Sequence, residues 1–188
     1  MTEASSSEAS GGRRLGRAFF DRPTDRVARE LLGTFLSVAA PPGLRTVRIV
    51  ETEAYVAGDE ANHAYRGPTE RNRSMFGRPG TLYVYRIHQV VCANLVTRTG
   101  EAVLLRAGAP VSPGLESASG PGRLCRALGL SIDDDGTDVV RGSRVVLRAG
   151  PGRPGRIARG PRVGIRRATE RPLRFAIAGD PFVSRPRP

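Results

Sequence analysis

Glu51, Glu53 and Tyr55 occupy every second position of a run that opens with Val47, Ile49 and Val50. Side chains on a β-strand alternate between two faces. The spacing therefore predicts a strand over Leu44–Val56 with two carboxylates and a phenol on one side. A carboxylate held on a rigid strand beside an aromatic ring is suited to activating a water next to a planar substrate. Taken alone, the residues from Val50 to Tyr55 also fit an ordinary solvated strand face with arginine partners, and that is the simpler account of them.

Around this strand the chain is organised in short elements. Thr24 reads as the N-cap of a helix whose buried stripe is Val27, Ala28, Leu31 and Leu32, with Gly33 ending it. Pro41-Pro42-Gly43 reads as a turn. Thr81–Tyr85 alternates as a strand does, with Tyr83 and Tyr85 on one face. Val90–Val96, Ala102–Leu105, Val139–Leu147, Val163–Ile165 and Leu173–Ile177 read as further strands. Gly120-Pro121-Gly122 opens a short helix carrying Leu124 and Leu128. Pro151–Pro161 reads as a loop. Asp59–Gly80 lacks periodicity apart from a short helix after Thr69, and so long a polar loop inside a compact domain is usually functional. The Ser/Gly/Ala/Glu-rich start, Met1 to about Gly12, is expected to be disordered. The chain thus divides into a tail over 1–18 and a single domain over 19–188. Several short strands with two or three helices predict an α+β domain: a curved, mostly antiparallel sheet flanked by a few helices.

The chain has 188 residues and a formal net charge of +12. That charge points to a polyanionic partner, nucleic acid first. All 30 basic residues are arginine, a pattern that coding bias alone can produce. The field exists whatever its origin, and arginine grips phosphate better than lysine does. With no lysine, a Schiff base on a side-chain amine is impossible. A lyase step would be left to the N-terminal amine. Two cysteines, Cys92 and Cys125, make neither a disulfide scaffold nor a zinc site, and read as buried thiols of a cytosolic protein. The sequence shows no signal-peptide apolar core and no stretch long enough to span a membrane.

Nine segments then occur in a telling order. They are Phe19–Pro23, Ala28–Gly33, Arg48–Tyr55, Asp59–His63, Arg71–Phe76, Pro79–Tyr85, Val103–Ala107, Gly120–Cys125 and Pro172–Phe175. Together they resemble the mammalian-type alkyladenine (3-methyladenine) DNA glycosylases, a family with many bacterial members, over Phe19 to Ser184. The resemblance implies a monofunctional glycosylase of base-excision repair. Such an enzyme acts in the cytosol on double-stranded DNA, removes alkylated purines and in some members hypoxanthine or ethenoadenine, and uses no cofactor or metal. No membrane and no obligate protein partner are implied. The C1′–N9 bond of a stacked nucleotide is out of reach, so the base must be flipped into a pocket. The bond then breaks through an oxocarbenium-like state. By match to the family motifs, Glu53 is the carboxylate that deprotonates water. Glu51, two residues earlier on the same face, is expected to be structural and paired with an arginine. Tyr55, His63 and Tyr83 match stacking walls, which favour cationic alkylated bases. Asn94 matches the position that crowds the amino group of guanine, and Val163 a small apolar lining residue. Arg106 matches the residue that holds the phosphate of the flipped nucleotide. Tyr85 is expected to support the sheet near the wedge, and Arg71 and Arg73 to touch the DNA backbone.

Two stretches depart from the family pattern. Where a wedging tyrosine and a glycine are usual, this chain has His88 and Gln89. Wedges are usually apolar or aromatic, and an imidazole fills less of the vacated space, so weaker or altered substrate capture is expected. Val111–Ser119 is also shorter than usual. One alternative is a catalytically weak damage- or nucleic-acid-binding protein of the same fold. Another is a metal-dependent nuclease built on Glu51, Glu53, Asp59, Glu60 and His63.

Overall fold

A computed structural model describes residues 12–188. Nearly all of the stretch expected to be disordered, 1–12, lies outside the described residues. Residues 12–18, assigned above to the tail, pack on the body. Leu15 is buried and its N–H donates to the Leu147 carbonyl at 2.9 Å.

A short helix α1 (Arg17–Phe20) leads into α2 (Thr24–Glu30). Val27, Ala28, Leu31 and Leu32 are buried as the helical spacing requires. Removing the three larger side chains from water contributes about 1.5–3 kcal/mol each. Thr24 is the first helical residue rather than the cap. Its hydroxyl is drawn sideways to Thr97 Oγ1, 2.7 Å away, and to Glu101. Gly33 follows with φ +83°, a left-handed turn that suits glycine.

Nine strands form one antiparallel sheet among the described residues. They are β1 (Phe35–Ala40), β2 (Gly43–Tyr55), β3 (Leu82–Ile87), β4 (Val90–Val96), β5 (Ala102–Pro110), β6 (Ala118–Ser119), β7 (Val145–Arg148), β8 (Ile157–Gly160) and β9 (Arg174–Ile177). The main order is β3-β4-β5-β2-β1-β7. The edge of β2 opposite β5 is shared: β1 pairs with Gly43–Arg48 and β9 with Glu51–Glu53. The sheet curls around this central strand, and the α+β expectation holds. Helix α3 (Pro121–Leu128) packs on β4 and β5, buried through Leu124, Cys125, Ala127 and Leu128.

Several boundaries differ from expectation. β1 is an unforeseen strand. The expected strand Val139–Leu147 is reduced to Val145–Arg148, because Asp138 Oδ1 accepts the N–H groups of Val140 and Arg141 and turns the chain there. The loop expected over Pro151–Pro161 contains β8, which pairs with β9 alone. Val163–Ile165 is not a strand, for a reason that belongs to the site.

Candidate active site

The centre of the site is an irregularity in the pairing of β2 with β5. The register shifts between Ile49 and Glu51 and again between Glu51 and Thr52. Val50 is the extra residue on one strand and Arg106 on the other. Bulges re-aim side chains, and here the effect is to place Arg106 between two carboxylates. Its guanidinium lies 3.0 Å from Glu51 and 3.4 Å from Glu53. Thr52, on the opposite face, donates to the Ala28 carbonyl at 2.8 Å and so ties the strand to α2.

The two carboxylates are fully buried and differently employed. Glu51 is saturated. It accepts from Arg174 Nε at 2.6 Å, the Ser184 N–H at 2.7 Å and the Ser184 hydroxyl at 3.0 Å. The arginine pairing expected of Glu51 is thus present. Glu53 accepts the Val163 N–H at 2.9 Å on Oε1 and the Tyr55 hydroxyl at 3.0 Å on Oε2. Val163 leaves the strand pattern because its N–H is spent on Glu53 instead of a neighbouring strand. Burial pushes the Glu53 carboxyl above its ordinary range, and the Glu51 charge adds to this. The Arg106 charge and the two hydrogen bonds oppose it.

Next to Glu53 is a cavity of about 460 Å³. Tyr55, His63, Tyr83, Tyr85, Asn94, Arg106 and Val163 all line it. Glu53 sits behind Tyr55, Arg106 and Val163, which hold its carboxylate from three sides. His63 Nδ1 and the Tyr83 hydroxyl are 3.0 Å apart, and the His63 ring is edge-on to Tyr85 at 4.5 Å. Partial burial and the Arg71 charge lower the His63 pKa, which favours the neutral imidazole. Burial pushes the Tyr83 phenol up to about 12. Tyr83 is only 2% exposed, whereas Tyr85, expected near the DNA-facing surface, is a more open part of the cavity wall. Asn94 is held by a bond from its Nδ2 to the Tyr83 carbonyl at 3.1 Å. Cys92 also lines the cavity, as a buried free thiol.

The remaining expected residues lie outside the cavity. His88 and Gln89 form the two-residue tip of the β3–β4 hairpin, where Ile87 pairs with Val90. His88 carries the left-handed φ of 51°, a conformation histidine tolerates better than most residues. Ile87 and Val90 flank it, 44% and 46% exposed. Arg71 and Arg73 are exposed on the 3₁₀ helix Glu70–Phe76, where Thr69 and Asn72 form a capping box. Arg166 and Arg167 line the cavity mouth and were not anticipated. The acids of the nuclease alternative are dispersed. Asp59 is paired with Arg162 and Glu51 with Arg174, and among the described residues no three His, Cys, Asp or Glu side chains could share a metal ion. No helix among the described residues is long and apolar enough to cross a membrane.

Residues 18–181 match the methylpurine-DNA glycosylase family. Relatives named "Putative 3-methyladenine DNA glycosylase" include the following three. The one from Methanoculleus marisnigri is 45% identical, over 91% of this chain and 98% of its own. The one from Rhizobium etli is 43% identical, over 90% and 88%. The one from an Anaeromyxobacter species is 46% identical, over 92% and 93%. The chain belongs to the methylpurine-DNA glycosylase family. It is therefore a DNA glycosylase, a DNA-binding hydrolase of DNA repair.

Proposed function

We propose that the protein is a monofunctional glycosylase that turns an alkylated purine out of duplex DNA into the cavity and hydrolyses its glycosidic bond with a water activated by Glu53. The observation that carries this is a buried, hydrogen-bonded carboxylate behind the wall of an aromatic cavity. The cavity volume of about 460 Å³ lies within the range of small-molecule sites, about 300–1,000 Å³. The purine stacks between Tyr55 and the His63–Tyr85 side, with Tyr83 holding His63 in place. Asn94 crowds the amino group of an undamaged guanine. A cationic alkylated base leaves as a neutral purine. Water adds to C1′ as the C1′–N bond breaks, and Glu53 takes the proton of that water. Arg106, already against Glu53, reaches for the phosphate of the flipped nucleotide. Exposed Arg71 and Arg73, with Arg166 and Arg167, grip the backbone, so duplex affinity falls steeply as salt rises. The cytosol, where chromosomal DNA lies, is its place of work.

The test is a duplex carrying one alkylated or deaminated purine, incubated with the protein in EDTA. Free base and an uncut strand holding an abasic site are expected. Tight duplex binding without base release from any lesion would replace this reading with that of a binding protein.

His88 takes the place of the wedge at the exposed hairpin tip. Its ring fills the gap left by a flipped nucleotide less fully than a phenol does. His88→Tyr is expected to raise the single-turnover rate several-fold at limiting protein. An unchanged rate would show that the wedge lies elsewhere, with exposed Ile87 the nearest apolar substitute.

A further inference from the structure

One buried arginine is tied to the site yet lines no part of the cavity. The side chain of Arg162 is fully buried against that of Asp59, itself fully buried. Nη2 donates to Asp59 Oδ1 at 3.0 Å and Nη1 to Asp59 Oδ2. Nη1 also donates to the Ala54 carbonyl at 3.1 Å, on the backbone between Glu53 and Tyr55. The guanidinium carbon sits 4.6 Å from the centre of the Tyr55 ring. The next residue along the chain is Val163, whose N–H is on Glu53. One side chain therefore touches the strand, the ring and the loop that together hold the proposed base.

Stability alone is a poor account of this pair. Burying two charges seldom outperforms apolar packing of the same volume. Arg162 Nε has no hydrogen-bond partner among the described residues, an added cost. A rigid fork does fix geometry. We propose that Arg162, clamped by Asp59, is a positioning residue for base release: it holds the Val163 N–H and the Tyr55 hydroxyl on the Glu53 carboxylate. The inference rests on Glu53 being the base.

The groups facing Glu53 are Glu51 and Tyr55 on β2, Arg106 on β5, Tyr85 on β3, Cys92 on β4 and Arg174 on β9. Loosening the clamp leaves the charges of Glu51 and Arg106 in place and acts through the two hydrogen bonds from Val163 and Tyr55, both of which lower the Glu53 pKa. Loosening them moves the pKa up, so the rate is lost at higher pH than in the wild type.

The experiment follows single-turnover base release against pH for the wild type, Arg162→Lys and Asp59→Asn, with duplex affinity and thermal unfolding measured alongside. Lysine keeps the charge and loses the fork, and asparagine keeps the shape and loses the charge. Misplacing a catalytic group by about 1 Å can cost on the order of 100-fold. Both variants should lose about tenfold or more at neutral pH, show an acid limb displaced upward, and bind duplex within about twofold of the wild type. A folded variant with the wild-type acid limb would overturn the proposal, whatever its rate. Loss of cooperative unfolding in both variants would overturn it too, by placing the pair's role in folding. Absence of release by the wild type is a separate result, and removes the glycosylase reading itself.

Discussion

Glu53→Gln is expected to eliminate base release while leaving duplex binding and the fold intact. A positioned general base contributes about 10²–10⁴ in rate, so single-turnover release should fall by at least about 100-fold. The substitution keeps the shape and the acceptor oxygen that meets the Val163 N–H, and Arg106 keeps its bond to Glu51. The sign of the stability change follows from linkage. Burial raises the Glu53 pKa above its unfolded value. The folded state then binds the proton more tightly, and stability is lost as pH rises from the unfolded pKa through the folded one. Wherever the carboxylate is ionised it is a burden on the fold. Glu53→Gln should therefore unfold at the same temperature as the wild type or higher, the opposition of activity and stability that its proposed role as base entails. The same pKa sets the pH profile. Glu53 must be ionised to accept a proton, so the wild-type rate should fall on acidification with a midpoint above the ordinary glutamate range. A loss of less than tenfold in Glu53→Gln would remove it as the base.

The parts legible in the sequence are those governed by local pattern. The two-residue period of β2 places Glu51, Glu53 and Tyr55 on one side, and the helical spacing of Val27, Ala28, Leu31 and Leu32 gives the buried stripe of α2. β1 escaped because Phe35–Val38 is a continuous buried run directly after a helix, and such a run has no period to read. β8 escaped because its neighbourhood is rich in Pro, Gly and Arg and it pairs with one strand alone. The residues matched to family motifs converge on one cavity, with Glu53 behind its wall and only Arg71, Arg73 and His88, the expected DNA contacts, outside it. The double bulge that aims Arg106 was not legible, since it arises from the register between two distant strands. Arg162, Arg166 and Arg167 were hidden by composition. In a chain with 30 arginines, a buried one and a surface one look alike. The one available signal for Arg162 was its position beside Val163.

Glu51→Ala is expected to do the opposite of Glu53→Gln: unfold the protein easily while the folded fraction still releases base. Arg174 is 2% exposed and Arg106 is 7% exposed, and both rest on the Glu51 carboxylate. Removing it leaves Arg174 with only the Ser184 and Pro186 carbonyls, at 3.2 and 2.6 Å, and no counter-charge of its own. Removing one partner of a buried ion pair costs about 3–5 kcal/mol. In a domain of this size each kcal/mol lowers the midpoint by about 2–4 °C, so a fall of about 6–20 °C is expected. The cost lies in the orphaned charge more than in the lost bonds, and a double substitution can show this. Glu51→Ala with Arg174→Met replaces the pair by apolar volume and should recover a substantial part of the loss. Thermal unfolding of the two single variants and the double one gives the coupling directly. Additive losses would mean that Glu51 and Arg174 stabilise the fold independently. Base release by folded Glu51→Ala separates the two carboxylates chemically. Glu51 raises the Glu53 pKa, so its removal should displace the acid limb of the rate downward and leave the neutral-pH rate standing.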